Sequence, residues 1–89
     1  MTITLIQSAA NLDPNDTATD PAQSLTNYIA AVTEAIRAEY PAAEVEHNDS
    51  DSVTYAWTLS GYDAGDRAQV EDRIQSITEA VYDAGTFWA

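Results

Sequence analysis

The apolar residues of this chain recur with a period of two in some segments and near 3.6 in others. Alternation covers residues 2–7, 43–47 and 52–60, as in strands that bury one face. Helical spacing covers residues 21–39 and again the stretch from residue 66 onward. The pattern therefore predicts the element order β-α-β-β-α.

The first predicted helix has a defined beginning and end. Asp20 can cap it, Pro21 suits the first helical position, and Gln23 can reach back to the cap. Pro41 stops the helix, because the residue before a proline avoids helical geometry. The apolar side chains form one stripe: Leu25, Tyr28, Ile29, Val32, Ile36 and Tyr40. Glu39 falls near this stripe by angle, but at the end of the helix its side chain can point away from it.

The second predicted helix begins with a similar cap pattern, Asp66 to Gln69. Its apolar stripe comprises Val70, Ile74, Ile77, Val81, Ala84 and Trp88. Gly85 is expected to end the helix. Phe87 and Trp88 would then fold back as a tail instead of continuing the stripe.

The strands predict a two-layer α+β domain spanning residues 1–89, with both helices on one face of a three-stranded antiparallel sheet. The second and third strands are expected to form a hairpin around a turn at residues 48–51, with the first strand antiparallel beside the third. The apolar face of the third strand should pack on the second helix: Val53, Tyr55, Trp57 and Leu59. The opposite face of the sheet should stay in solvent: Thr2, Thr4, Glu44, Glu46, Thr54 and Thr58.

The charge of the chain limits its partners. Fifteen carboxylates face three arginines, with no lysine, giving a formal net charge of −12 on 89 residues. Such a charge destabilises the compact state through self-repulsion, so a habitat or a partner should account for it. Nucleic acid and anionic membranes would repel this chain. We therefore expect a basic protein surface as its partner, and no direct binding to nucleic acid or membrane.

No motif in the chain indicates catalysis or a cofactor. There is no cysteine, no nucleophile elbow and no glycine-rich phosphate loop, and His47 is the only histidine. Calcium loops counted from Asp13 or Asp49 lack the required Gly and Glu. The sequence therefore predicts a non-enzymatic protein without metal or cofactor. Since the first residues lack the features of a signal peptide and no apolar run could span a membrane, we expect a cytoplasmic location.

The carboxylates themselves are the candidate binding residues. Carboxylates held on rigid elements can stand where DNA phosphates would, because a phosphate-binding groove gains much of its affinity from charge. The expected partner-binding residues form a hairpin set and a helix set: Glu44, Glu46, Asp49 and Asp51, then Asp72, Glu79 and Asp83. The loop acids Asp13 and Asp16 should matter less, since ordering a loop on binding costs free energy.

In length, charge and acidic runs such as 48–51 and 63–66, the chain resembles the small acidic inhibitors made by bacteriophages, including DNA-mimic anti-CRISPR proteins and restriction inhibitors. That resemblance implies a stoichiometric inhibitor of a nucleic-acid-binding defence complex in the host cytoplasm. Two alternatives remain. One is an assembly module that pairs through its open sheet face or through Phe87 and Trp88. The other is a housekeeping domain from a high-salt habitat, where Asp, Glu, Ala and Thr are favoured and Lys is avoided.

Overall fold

The computed structural model describes residues 1–13, 15–50 and 57–89. It is an α+β protein with a three-stranded sheet, which confirms the predicted class. The strands and helices, in chain order, are β1 (Thr2–Ile6), α1 (Ala9–Leu12), α2 (Pro21–Glu39), β2 (Glu44–Asn48), β3 (Trp57–Ser60) and α3 (Ala64–Ala84). None of the helices in this part of the chain is long and apolar enough to cross a membrane.

The sheet is mixed, with the strand order β2-β1-β3. The predicted antiparallel pairing of the first and third strands is confirmed, since β1 runs antiparallel to β3. The predicted hairpin is wrong, because β1 lies between β2 and β3, and the all-antiparallel sheet is wrong, because β1 and β2 are parallel. A parallel pair needs a long crossover connection, and α2 supplies it between β1 and β2.

The two faces of the sheet follow the predicted alternation. Ile3 lies between Val45 and Leu59, and Leu5 lies between His47 and Trp57, on the face that the helices cover. The other face carries the polar residues Thr2, Thr4, Glu44, Glu46 and Thr58, of which the two glutamates and Thr58 are exposed. Thr54, Val53 and Tyr55 lie outside the described residues.

The predicted beginning and end of α2 are confirmed. The Asp20 carboxylate accepts a hydrogen bond of 3.1 Å from the backbone N–H of Gln23, and Pro21 is the first helical residue. The Gln23 side chain does not return to the cap, because it donates to Asn27 at 2.8 Å. The helix ends at Glu39, two residues before Pro41.

The beginning of α3 differs from the prediction, and α1 was not predicted. Asp63 occupies the N-cap position of α3, so Asp66 lies within the first turn. There its negative charge interacts favourably with the positive end of the helix dipole. The short helix α1 is capped by Ser8, whose hydroxyl accepts from the Asn11 amide at 3.2 Å. Four residues are too few to show a helical period in a sequence.

The core lies between the inner face of the sheet and the helices. Its buried apolar residues come from β1, β3, all three helices, the residue before β2 and the tail after α3: Ile3, Leu5, Leu12, Leu25, Tyr28, Val32, Ile36, Ala43, Leu59, Val70, Ile74, Ile77 and Phe87. Val81 and Trp57 pack at its margin. The predicted stripe of the second helix and the described part of the third strand thus share one core, except for Ala84 of that stripe, which is exposed.

The predicted folding back of the tail is confirmed. Gly85 ends α3 in the left-handed region, at φ 67°, which glycine adopts without strain. Phe87 is then 2% exposed, and its carbonyl accepts a hydrogen bond of 3.2 Å from Asn27. The carbonyl of Ala89 accepts from two backbone amides that precede α2, those of Thr19 and Asp20, each at 2.9 Å. The tail therefore anchors the end of α3 to the beginning of α2.

Candidate partner-binding surfaces

The first acidic row lies on β2. Glu44 and Glu46 are exposed on the outer sheet face, directly beside Thr2 and Thr4 of β1. They are two residues apart on a strand, which spaces them by about 6.6 Å. Pairing with β1 holds both ends of the strand, through Glu44 N–H to Met1 O at 2.9 Å and Gln7 N–H to Asn48 O at 3.1 Å. We call Glu44 and Glu46 the β2 row.

Asp49, the other described residue of the predicted hairpin set, is not held by a hairpin turn. The central position of β1 excludes such a turn between β2 and β3. Asp49 follows β2 directly and is exposed. Asp51 lies outside the described residues. Among the described residues of the predicted hairpin set, strand pairing therefore holds only the β2 row.

The second acidic row lies on α3. Asp72, Glu79 and Asp83 are exposed, about half a turn away from the buried residues of that helix. They extend over about 16 Å of helix at 1.5 Å per residue. Of these three carboxylates, only that of Glu79 accepts a hydrogen bond from a described side chain, that of Gln75, at 2.8 Å. We call these three residues the α3 row.

The two rows belong to different layers of the protein. The β2 row faces away from the core on the sheet, whereas the α3 row faces away from the core on the helical layer. A flat or grooved partner would therefore contact one row at a time. The structure therefore does not bring the β2 row and the α3 row together into one surface.

Two of the three arginines pair with carboxylates outside both rows. Arg67 contacts Glu71 at 3.0 Å within α3. Arg73 reaches across to α2, where its Nε lies 2.7 and 2.6 Å from the two carboxylate oxygens of Glu39. Hydrogen bonding to Arg73 holds the pKa of Glu39 below its usual value. Glu39 is exposed, so it does point away from the apolar stripe, but it is paired with Arg73 there. No arginine in the described ranges contacts either row.

Asp13 is a structural carboxylate. It is 8% exposed, and its two oxygens accept from the backbone amides of Thr17 at 2.7 Å and Ala18 at 2.8 Å. The hydrogen bond from the Ala18 amide is the main cause that lowers the pKa of Asp13. Asp13 thus fixes its own loop, so its carboxylate is occupied within the chain, and the cost of ordering a loop on binding is not the reason that sets it apart from the rows.

A groove of about 540 Å³ lies between α2 and the end of β2. Its apolar wall includes Leu25, Ile29 and Ala30 of α2, while His47 and Asp49 line it from β2 and the residue that follows. The His47 Nε2 lies 2.9 Å from the carbonyl oxygen of Gln7, to which it donates. The sequence did not indicate this groove, because the relative placement of α2 and β2 is a tertiary property.

The described ranges contain no group of three or more His, Asp or Glu side chains arranged to hold a metal ion. No protein-family model matches the chain, and no curated protein or solved structure is significantly similar to it.

Proposed function

We propose that this protein is a non-enzymatic inhibitor that occupies the basic nucleic-acid-binding surface of a bacterial defence complex, of the CRISPR–Cas or restriction type. It blocks DNA binding by presenting carboxylates in place of phosphates. The observation that carries the proposal is the β2 row, two carboxylates fixed on a strand and free of contact with any described arginine.

The strand geometry supports this choice of row. The strand presents the two negative charges of the β2 row at a fixed spacing of about 6.6 Å, and regularly spaced negative charge is what a phosphate-binding groove recognises. The α3 row is less evenly spaced, with about 10 Å between Asp72 and Glu79 and about 6 Å between Glu79 and Asp83. A preorganised row also loses less conformational entropy on binding than mobile side chains do.

A competition assay tests the proposal. Purified CRISPR–Cas and restriction complexes are mixed with labelled target DNA, and the protein is titrated in at several salt concentrations. We expect displacement of DNA from one complex, weakening steeply as salt rises, because screening acts on every ionic contact. Failure to displace DNA from any complex at low salt would contradict the proposal.

Paired charge reversals locate the contact. Glu44→Lys with Glu46→Lys, and Asp72→Lys with Asp83→Lys, each raise the net charge from −12 by two units per residue, to −8. The pairs therefore change the overall field equally. We expect the first pair to weaken inhibition by about tenfold or more, since truncated or reversed interface charges cost several kcal/mol, and the second pair to have a smaller effect. Equal inhibition by both variants and the parent protein would exclude charge mimicry.

An assembly module is the second candidate, favoured by the open polar face of the sheet. Such a module would self-associate through Thr2, Thr4 and Thr58 on that face. The tail is the weaker route to pairing, because Phe87 is already buried within its own chain. Sedimentation at high salt distinguishes the two functions, since pairing through hydroxyl groups should persist where charge mimicry fails.

A further inference from the structure

We propose that the open edge of β2, together with the groove beside it, binds an extended segment of a partner protein in which apolar residues alternate with Lys or Arg. The inference rests on the proposed function only in taking the partner to be basic. It adds how that partner docks: as an additional strand of the sheet.

The backbone of β2 offers the hydrogen bonds for such a strand. Glu44 N–H and Asn48 O bond toward the β1 side. Because backbone groups alternate in direction along a strand, the N–H and C=O groups of Val45 and His47 face the opposite edge. No strand in the described part of the chain pairs with that edge. An edge of this kind is a template for an added strand.

The two sides of the edge differ in chemistry, and the difference selects the side-chain pattern of the partner. An added strand would place alternate side chains on opposite faces of the sheet. Those on the inner face meet the groove, with Leu25, Ile29 and His47. Those on the outer face meet the β2 row. Apolar side chains suit the inner face beside the groove, and Lys or Arg suits the outer face beside the β2 row.

A second copy of this chain is the less favourable occupant. Antiparallel pairing of two β2 edges would set Glu44 and Glu46 of one copy beside the same residues of the other. Like charges directly opposite each other on paired strands are destabilising. At a net charge of −12 the two copies would also repel at longer range.

A peptide titration tests the inference. The full chain, labelled with ¹⁵N, is titrated at low salt with a capped synthetic peptide of alternating Val and Arg, about seven residues long to match a typical strand. We expect changes in chemical shift and slower hydrogen exchange at the amides of Val45 and His47. A peptide of the same composition with its Val and Arg residues in two blocks should bind more weakly. Equal binding of both peptides would overturn the inference.

Backbone methylation separates strand addition from charge attraction without altering the protein. One peptide is N-methylated at its Val amides and another at its Arg amides. Only one set of peptide amides can face β2. In an antiparallel added strand it is the Val amides, and in a parallel one it is the Arg amides. We expect one methylated peptide to lose about tenfold or more in affinity, as the loss of two or more hydrogen bonds implies. Unchanged affinity of both would overturn strand addition.

A matched pair of helix variants tests the groove. Ala30 and Ala38 are both exposed alanines of α2, but only Ala30 lines the groove. Ala30→Gln should fill part of the groove and weaken peptide binding, whereas Ala38→Gln should not. Equal effects of the two variants would contradict the role of the groove.

The two proposals can fail separately. If the protein displaces DNA but its β2 amides show no change in chemical shift or hydrogen exchange with the peptide, strand docking is refuted and the mimicry proposal stands. Peptide binding at β2 by a protein that displaces DNA from no complex would support strand docking and refute the proposed function.

Discussion

Replacing Phe87 with Ala should show how much the tail contributes to stability. The Phe87 ring is 2% exposed and stands edge-on to Tyr28, with centroids 5.1 Å apart. It also contacts the rings of Trp88 at 4.5 Å and Tyr82 at 5.9 Å. Phe→Ala substitutions in protein cores cost about 3–5 kcal/mol, and aromatic pairs add about 0.5–1.5 kcal/mol beyond buried area.

We therefore expect Phe87→Ala to lower the free energy of unfolding by about 4 kcal/mol. A domain of this size has roughly 4–13 kcal/mol in total, so the variant should approach the limit of folding. Its midpoint of thermal unfolding should fall by about 15–30 °C, at about 4–8 °C per kcal/mol. Urea denaturation followed by circular dichroism gives the free energy, with the exposed tail residue in Thr86→Ala as the control.

Hydrogen exchange provides an independent measurement. The amides of Thr19 and Asp20 donate to the carbonyl of Ala89, so they should exchange faster when the tail is released. A loss in stability below about 1 kcal/mol, with unchanged exchange at these two amides, would refute the account of the tail as part of the core.

Four further predictions concern the core, a buried hydroxyl, a loop carboxylate and salt. Ile74→Ala removes a fully buried side chain and should cost about 2–4 kcal/mol in urea denaturation; a loss below about 0.5 kcal/mol would mean that the buried face of α3 is misassigned. The Tyr62 hydroxyl is buried without a partner among the described residues, so Tyr62→Phe should raise stability by up to about 1 kcal/mol, while the exposed Tyr82→Phe should not; a clear loss in Tyr62→Phe would reveal a missed partner. The Asp13 carboxyl has a lowered pKa in the folded state, so its stabilisation is present above the usual pKa of 3.8 and is lost as pH falls below that value. Asp13→Asn should therefore show a smaller decrease in the free energy of unfolding at acid pH than the parent protein. An equal decrease in both proteins would contradict the role of Asp13. Circular dichroism in dilute buffer should show a folded protein, whereas cooperative loss of helix below about 0.1 M salt would favour the high-salt habitat instead.

The sequence predicts α2 almost completely because its determinants are local. Asp20 and Pro21 define its first turn, and Pro41 excludes continuation, all within a few residues of the ends. The faces of the strands are predicted for the same reason, since alternation alone assigns Ile3 inward and Glu44 outward. These features need no knowledge of which elements become neighbours.

The order of the strands could not be read in this way. Alternation fixes which side of a strand is buried, but it is equally compatible with β2 beside β3 and with β2 beside β1. The Arg73–Glu39 pair likewise joins residues on two helices whose docking the sequence does not specify. The role of Asp13 had a local indication, since Asp in a loop commonly binds backbone amides a few residues ahead. The groove between α2 and β2 had none.

The central position of β1 has a consequence for how the chain folds as it is synthesised. Of the three strands, β1 is synthesised before both of the strands that pair with it. Ile3 pairs with Val45 of β2 on one side and with Leu59 of β3 on the other. Its apolar face must therefore wait for most of the chain, and contacts so distant in sequence slow folding. During that interval, exposed strands favour aggregation. The dense negative charge would keep such unfinished chains apart through mutual repulsion, so the acidity can protect the nascent protein before it serves any partner.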